Sequence, residues 1–194
     1  MAESFATPLH AGLGIQSVVV PTHIYGAKTR VLYRTRVRLL ERFHQRCLRF
    51  ILGIKWQVYV SNEEVLKRAS MPSVRSILLQ VQLHWAGHVT RMEDIRMPKA
   101  VFFSELHEGK RDRGASRKRY KDQLRRQLAQ AGISHQAWQQ EALDRDSWRS
   151  SVRKVSRTFE AERHEAAKEK TQWAERASSI PIILRRNLRL SKVR

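Results

Sequence analysis

The chain has 194 residues, of which 38 are lysine or arginine and 18 are aspartate or glutamate, so its formal net charge is +20 at pH 7. This surplus exceeds what solubility requires and indicates a phosphate-rich polyanion as the partner. Hydrophobic residues, at 41% of the chain, argue against a disordered tail.

The same composition limits compartment and chemistry. The single cysteine, Cys47, excludes an internal disulfide and a cysteine-rich zinc module. No apolar run approaches the roughly 18 residues that a membrane-spanning helix needs. The sequence therefore predicts a nuclear or cytoplasmic protein that has no cofactor and no membrane partner.

The first long helix is predicted from about Lys28 to Gly53, with Gly53 as its C′ residue. Residues 1–22, rich in glycine and proline, are predicted to be a poorly ordered lead whose β-like piece is Gln16–Val20. Basic residues share one face of the helix: Arg34, Arg38, Arg42, Arg46 and Arg49. The predicted apolar face is Leu32, Leu40, Phe43, Cys47 and Ile51.

The arginine face predicts a negatively charged ligand. Like charges four residues apart on a helix repel by about 0.2–0.5 kcal/mol per pair, and Glu41 is the only acid in the stretch. A solvated basic face is the alternative interpretation of any one such run. The +20 charge of the whole chain favours a phosphate backbone instead.

Helix signals continue through the middle of the chain. Ser61 and Glu64 form a predicted capping box for a short helix to about Ser70. Pro72 and Ser73 then open the predicted core helix, which ends before Pro98. Its apolar residues recur at the helical period: Leu78, Val81, Trp85, Val89 and Met92. Residues 98–106 favour a short helix over a buried strand.

A basic loop is predicted at 109–119, followed by further helices. Its candidate phosphate contacts, with those just beyond it, are Lys110, Arg111, Arg113, Arg117, Lys118, Arg119 and Lys121. Gly132 ends the next helix, and Ser134 caps a short turn. Asp144 or Asp146 caps a long final helix whose near-heptad apolar stripe weakens after Phe159.

These elements predict a mainly α protein, an irregular helical bundle with a long C-terminal helix. The predicted organisation is a lead at 1–22, a helical unit at 23–108, the basic loop at 109–119, a helical unit at 120–177 and a basic tail at 178–194. The helix from Asp146 to Ala177 could also pair with a protein partner or a second copy of the chain.

Several aromatic, histidine and cysteine side chains allow both a functional and a structural interpretation. Lys55 and Trp56 lie in the connection after the first helix, where Trp56 could stack on a base. Helical phase favours the core for the other tryptophans of the middle region, namely Trp85, Trp138 and Trp148. His84 and His88 have a zinc-like spacing without a third ligand type nearby, so packing or a polar contact is predicted. Cys47 is predicted to be a small buried hydrophobe.

Four longer motifs carry a resemblance to a known family. They are LERFHQRCLRFILGIKWQ (Leu40 to Gln57), SNEEVLKRA (Ser61 to Ala69), LHWAGHVTRM (Leu83 to Met92) and GKRDRGASRKRYKDQLRRQL (Gly109 to Leu128), and DRDSWRSSV (Asp144 to Val152) extends the match. The chain resembles the region after the catalytic palm in LINE-type, non-long-terminal-repeat retrotransposon reverse transcriptases. The resemblance implies a thumb-like, post-palm helical segment that grips template and primer, or element RNA.

Departures from that family shape the expected function. The sequence has no adjacent aspartates to hold two magnesium ions, so polymerase activity is not expected and the palm is expected to be missing. Arg30 replaces a frequent aromatic, an arginine-proline pair near Ala115 and Ser116 is absent, and no cysteine-histidine finger follows. The expected function is non-enzymatic, largely sequence-independent binding of RNA or single strands. The alternatives are a protein-interaction module or a translated decayed element without a role.

Overall fold

A computed structural model describes residues 22, 24–55, 57–104 and 119–179. Within these ranges the chain forms seven helices and no strand. The helices are α1 Arg34–Ile51, α2 Asn62–Arg68, α3 Val74–Thr90, α4 Met97–Phe103, α5 Tyr120–Gln130, α6 Trp138–Glu141 and α7 Arg145–Ser179. The predicted mainly α fold with a long C-terminal helix is confirmed. The predictions for residues 1–21, for 105–118 and for 180–194 lie outside the described residues.

Helix α1 starts at Arg34, so the predicted start at Lys28 is wrong. Turns occupy the preceding segment, where Gly26 has a φ of 74° and the Ala27 amide donates to the Ile24 carbonyl at 2.8 Å. The amide of Leu32 donates to Gln123 Oε1 of α5 at 3.0 Å, which a continuing helix would not allow. A tertiary contact therefore sets this boundary.

The C-terminal end of α1 follows the sequence signal. Gly53 has a φ of 63°, the left-handed conformation that glycine adopts most readily. The Ile54 amide donates to the Arg49 carbonyl at 2.9 Å, the long hydrogen bond of a Schellman motif. Gly53 is confirmed as the C′ residue.

Serine caps start the next two helices, as predicted. Ser61 Oγ accepts from the Glu64 amide at 3.2 Å, and Ser73 Oγ accepts from the Ser76 amide at 3.3 Å. The Glu64 carboxylate does not complete the capping box but accepts from Arg68 Nε at 2.9 Å. This hydrogen bond holds the pKa of Glu64 below its ordinary value.

The main hydrophobic core joins α3 to the helices that follow it. Its buried members come from five helices and the residues flanking them: Leu79, Leu83, Ala86, Val89, Phe102, Leu124, Leu128, Trp138, Ala142, Trp148 and Val152. Trp85 is partly buried and packs edge-on against Phe102 and Tyr120, with ring centroids 5.5 and 5.4 Å away. Core positions for the three tryptophans are confirmed. Because this core spans both sides of 109–119, the five-part domain division stays a prediction.

Helix α7 packs a tryptophan, Trp148, against a glycine of α3, Gly87. Trp148 Nε1 donates to the Leu83 carbonyl at 3.0 Å. A Cβ atom at Gly87 would overlap that nitrogen and lie 2.5 Å from Trp148 Cδ1. Since Trp148 is 1% exposed, it has no room to move away. Gly87 therefore makes room for the Trp148 indole against α3.

A buried glutamine, Gln82, hydrogen-bonds to the segment that leads into α1. Its Nε2 atom donates to the Ala27 carbonyl at 2.9 Å and to the Arg30 carbonyl at 3.3 Å. Its Oε1 atom accepts from Gln123 Nε2 at 2.8 Å and from Gln127 Nε2. Gln82 and Gln123 thus satisfy backbone groups of the residues before α1, and Gln127 binds Gln82.

The chain divides into two compact units, Met1–Phe159 and Glu160–Arg194. In the second unit, helix α7 carries ion pairs one turn apart, such as Arg163 to Glu160 and Lys168 to Glu165, each at 2.7 Å. Trp173 is 68% exposed. Over the described ranges, no helix is both long and apolar enough to cross a bilayer.

Candidate nucleic-acid interface

The arginine strip is defined as Arg34, Arg38, Arg42 and Arg46 of α1. All of them are exposed, and no residue in the described part of the chain hydrogen-bonds or ion-pairs with their guanidinium groups. Successive members are about 6 Å apart along the helix axis. The strip thus presents a continuous positive surface to solvent, where the spacing predicted it.

The one acid of α1 does not neutralise this strip. Glu41 Oε1 accepts from Arg75 Nε of α3 at 2.6 Å, and a second contact joins Glu41 Oε2 to Arg75 Nη2 at 3.4 Å. Glu41 therefore faces the side of α1 that packs on α3. Its charge is already paired, so the strip keeps its own charge.

The predicted apolar face of α1 is wrong in several positions. Phe43 and Ile51 are 40% and 38% exposed, Cys47 is half-buried, and the buried residues are His44 and Leu48. Arginines spaced by four residues advance about 40° around the helix at each step, so the strip spans about 120° and its spacing alone does not fix which residues are buried. Neighbouring helices select the buried side, because Leu48 packs against α2.

Arg49 differs from the strip. Its Nη2 atom donates to the Val60 carbonyl at 2.7 Å and to Asn62 Oδ1 at 2.9 Å. It therefore ties the end of α1 to the connection before α2. This internal role was not predicted, because helical spacing alone does not show which arginine meets a carbonyl.

Exposed apolar side chains accompany the basic ones. Phe50, at the end of α1, is 86% exposed, and Tyr59, in the connection held by Arg49, is 98% exposed. Lys55 lies between them in sequence and is exposed, whereas Trp56 lies outside the described residues. Aromatic rings beside cations suit base stacking. Stacking by Phe50 and Tyr59 was not predicted, although aromatic residues flank the basic connection in the sequence.

Of the predicted basic loop, the structure describes the C-terminal residue, Arg119. Lys110, Arg111, Arg113, Arg117 and Lys118 lie outside the described residues. Arg119 is exposed, and its amide donates to Asp122 Oδ2 at 3.4 Å at the start of α5. Lys121 Nζ donates to the carbonyls of Phe103 and Ser104 at 2.9 and 3.1 Å. Lys121 thus neutralises the C-terminal end of α4, a structural role that the prediction did not include.

A groove of about 480 Å³ lies between α4 and α5. Its apolar wall includes Trp85, Val101 and Phe102, and Arg119 lines it as well. The Tyr120 hydroxyl beside it donates to the Lys28 carbonyl at 2.9 Å. Burial raises the pKa of Tyr120 far above its ordinary value, so this hydroxyl remains a donor.

The histidine pair of α3 shows no metal-binding arrangement. In the ranges the structure describes, no group of three or more histidine, cysteine, aspartate or glutamate side chains could hold a metal ion. His84 is half-buried, and its pKa is lowered by burial and by the charges of Arg149, Arg153 and Arg91. Its charged neighbours are therefore cations.

Comparison with protein-family models, curated proteins and solved structures finds no match to this chain.

Proposed function

We propose that the protein is a non-enzymatic binder of RNA or single-stranded nucleic acid, descended from the post-palm region of a LINE-type retrotransposon reverse transcriptase. The arginine strip is the observation that carries the proposal. Its guanidinium groups are exposed, close together and unpaired by any described residue, while the other side of α1 is fixed by packing. A phosphate backbone along α1 would relieve the repulsion between these charges.

The chemistry of the strip favours binding without sequence preference. Arginines contact phosphate oxygens through charge-assisted hydrogen bonds, which position a nucleic acid but do not read its bases. The exposed rings of Phe50 and Tyr59 would add stacking, which every base allows. A single strand, whose bases are accessible, uses both features.

The family resemblance supports the same class of ligand. Five motifs occur in the family's order, and the first of them includes Arg42, Arg46 and the turn at Gly53. The proposed role includes no catalytic step, because the sequence lacks adjacent aspartates that would hold two magnesium ions.

The test compares the RNA affinity of a variant whose strip is neutralised with that of a control variant that loses three positive charges elsewhere. The test variant carries Arg38→Gln, Arg42→Gln and Arg46→Gln. The control carries Lys67→Gln, Arg126→Gln and Lys154→Gln, three exposed cations on other helices. Binding to a labelled single-stranded RNA is measured by fluorescence anisotropy. Loss of three phosphate contacts weakens binding by on the order of a hundredfold in 0.1 M salt.

The control variant should lose much less affinity, and circular dichroism should show the same helix content in all three proteins. Equal losses in the test and control variants would mean that total charge, and not the strip, determines binding. A coil spectrum for the unmodified chain would support the decayed-element alternative.

The protein-interaction alternative receives less support. Trp148 and Val152 are buried in this chain's own core, and Val155 and Phe159 pack against it. The first half of the proposed stripe is therefore already occupied. Only Trp173 in the second unit is a large exposed apolar residue of the described part of α7.

A further inference from the structure

Helices α3 and α7 run antiparallel, with a register fixed by two contacts between them and by a third to Ala142, which precedes α7. Ser76 Oγ donates to the Ser156 carbonyl at 3.0 Å. Trp148 Nε1 donates to the Leu83 carbonyl at 3.0 Å. Near the end of α3, Arg91 Nη1 donates to the Ala142 carbonyl at 2.5 Å. As residue numbers rise along α3, their partners' numbers fall along α7.

This register brings basic side chains of two helices together. His84 and Arg91 lie on α3 and its C-cap, and Arg145, Arg149 and Arg153 lie at successive turns of α7. We call these five residues the second basic face. The pKa of Arg91 is lowered by burial and by the charges of Arg145 and Arg149. The pKa of His84 is lowered by burial and by the charges of Arg149, Arg153 and Arg91. The charges are thus close enough to oppose one another.

Acidic residues nearby do little to offset this charge. Asp146 Oδ1 lies 3.9 Å from Arg149 Nη1, and the Asp146 side chain is 90% exposed. A solvated pair of this kind contributes on the order of 0–1 kcal/mol. Asp144 Oδ1 accepts from the Asp146 amide at 3.1 Å as the predicted helix cap. The face therefore keeps a net positive charge.

We propose that the second basic face is a further phosphate-binding site, which holds the backbone of a single-stranded nucleic acid. The proposal follows from cations that the packing of α3 on α7 holds together: Arg91 and Arg149 have the contacts given above, whereas Arg145 and Arg153 have no hydrogen-bond or ion-pair partner in the described part of the chain. Phosphate oxygens would accept hydrogen bonds from the arginines and would also offset their mutual repulsion.

The second basic face is separate from the arginine strip. Helix α3 meets the α1 side of the molecule through a cluster that includes Val74 and Leu78. Its contacts with α7 use Ser76, Leu83 and Gly87 instead. Because different residues of α3 contact each partner, the two basic surfaces can bind phosphates independently.

The experiment compares two charge losses on the same helix. The test variant carries Arg149→Gln and Arg153→Gln, and the control carries Lys154→Gln and Lys168→Gln, which are exposed on α7 outside the second basic face. Binding to a labelled single-stranded RNA is followed across a salt series. The test variant should lower the slope of log K against log salt by about 1.4, since each single-strand phosphate contact contributes about 0.7.

The control should keep the wild-type slope. The pair Arg149→Lys and Arg153→Lys should restore it, because phosphate binding needs the charge, whereas a packing role for the guanidinium groups would not be rescued. Circular dichroism confirms that each variant is folded. A test variant with the wild-type slope would overturn the proposal.

A second measurement follows His84 itself by NMR, in the full chain, with and without saturating RNA. Phosphate placed among Arg91, Arg149 and Arg153 should raise the pKa of His84, because it offsets the charges that lower that pKa in the unbound protein. The spectrum of His84→Gln assigns the signal. An imidazole pKa that RNA does not change would contradict the proposal.

The two proposals fail in different ways. If the strip variant binds weakly while Arg149→Gln with Arg153→Gln binds normally, only the second basic face is rejected. If the strip variant binds like wild type and the α7 variant does not, the strip is rejected and the second face stands. If the unmodified chain binds no RNA, both are rejected.

Discussion

Gln82 shows how a single polar side chain can organise the part of the molecule that precedes α1. It is 0% exposed and joins α3 and α5 to the carbonyls of Ala27 and Arg30. A helical glutamine is more often at the surface, so its sequence context gave no sign of burial. Only the packed structure shows that it fills a hydrogen-bonding site.

The substitution Gln82→Leu should therefore lower the free energy of unfolding more than the same substitution at a nearby glutamine of α3. Two backbone carbonyls and two glutamine amides lose their partner, and each buried unsatisfied group costs about 1–3 kcal/mol. We expect the free energy of unfolding in urea to fall by about 2–4 kcal/mol. The control is Gln80→Leu on the same helix, expected within about 0.5 kcal/mol of wild type. Equal effects would show that the network contributes nothing specific.

The lowered pKa of His84 predicts how the free energy of unfolding depends on pH. Its pKa is lowered in the folded state, so near and below its ordinary value of about 6.5 the unfolded chain binds more protons than the folded one. The free energy of unfolding should fall as the pH is lowered through this value and level off below the folded-state pKa. Comparison of His84→Gln with wild type across a pH series checks this. A wild-type pH profile in the variant would contradict it.

At the scale of helices, the contact between α3 and α7 depends on the absence of a side chain at Gly87. Gly87→Ala improves helix propensity by about 1 kcal/mol but forces a methyl group into Trp148, and such overpacking costs about 1–3 kcal/mol or more. We expect a net loss of about 1–2 kcal/mol in the free energy of unfolding.

A double-mutant cycle with Trp148→Phe separates the clash from other effects of the alanine. Phenylalanine lacks the indole nitrogen that the new methyl would meet, so Gly87→Ala should cost less in that background. Strictly additive losses would show that contact between the new methyl group and Trp148 is not the cause.

Helix ends were predictable where their chemistry is local. Ser61 and Ser73 cap helices through amides three residues away, and Gly53 and Gly132 adopt positive φ just beyond helix ends. The start of α1 was not predictable, because Gln123, distant in sequence, binds the Leu32 amide. The buried side of α1 depends on neighbouring helices and was likewise misassigned.

At the scale of the whole molecule, the sequence predicts the class of fold and the arginine strip. It does not predict which cations bind backbone carbonyls of the protein and which are exposed to solvent. Arg49 and Lys121 bind backbone carbonyls, which charge spacing does not reveal. The second basic face joins residues of α3 and α7 that are far apart in sequence, so only packing brings them together. The surplus of +20 is thus divided between structural and exposed groups.

The salt dependence of RNA binding tests the proposed function most directly. The intact chain is titrated with a labelled single-stranded RNA across a salt series, alongside the variant with Arg38→Gln, Arg42→Gln and Arg46→Gln. We predict a steep linear fall of log K with log salt for the intact chain and a slope shallower by about 2 for the variant. Binding that does not weaken as salt rises, or identical slopes for the two proteins, would contradict phosphate recognition by α1.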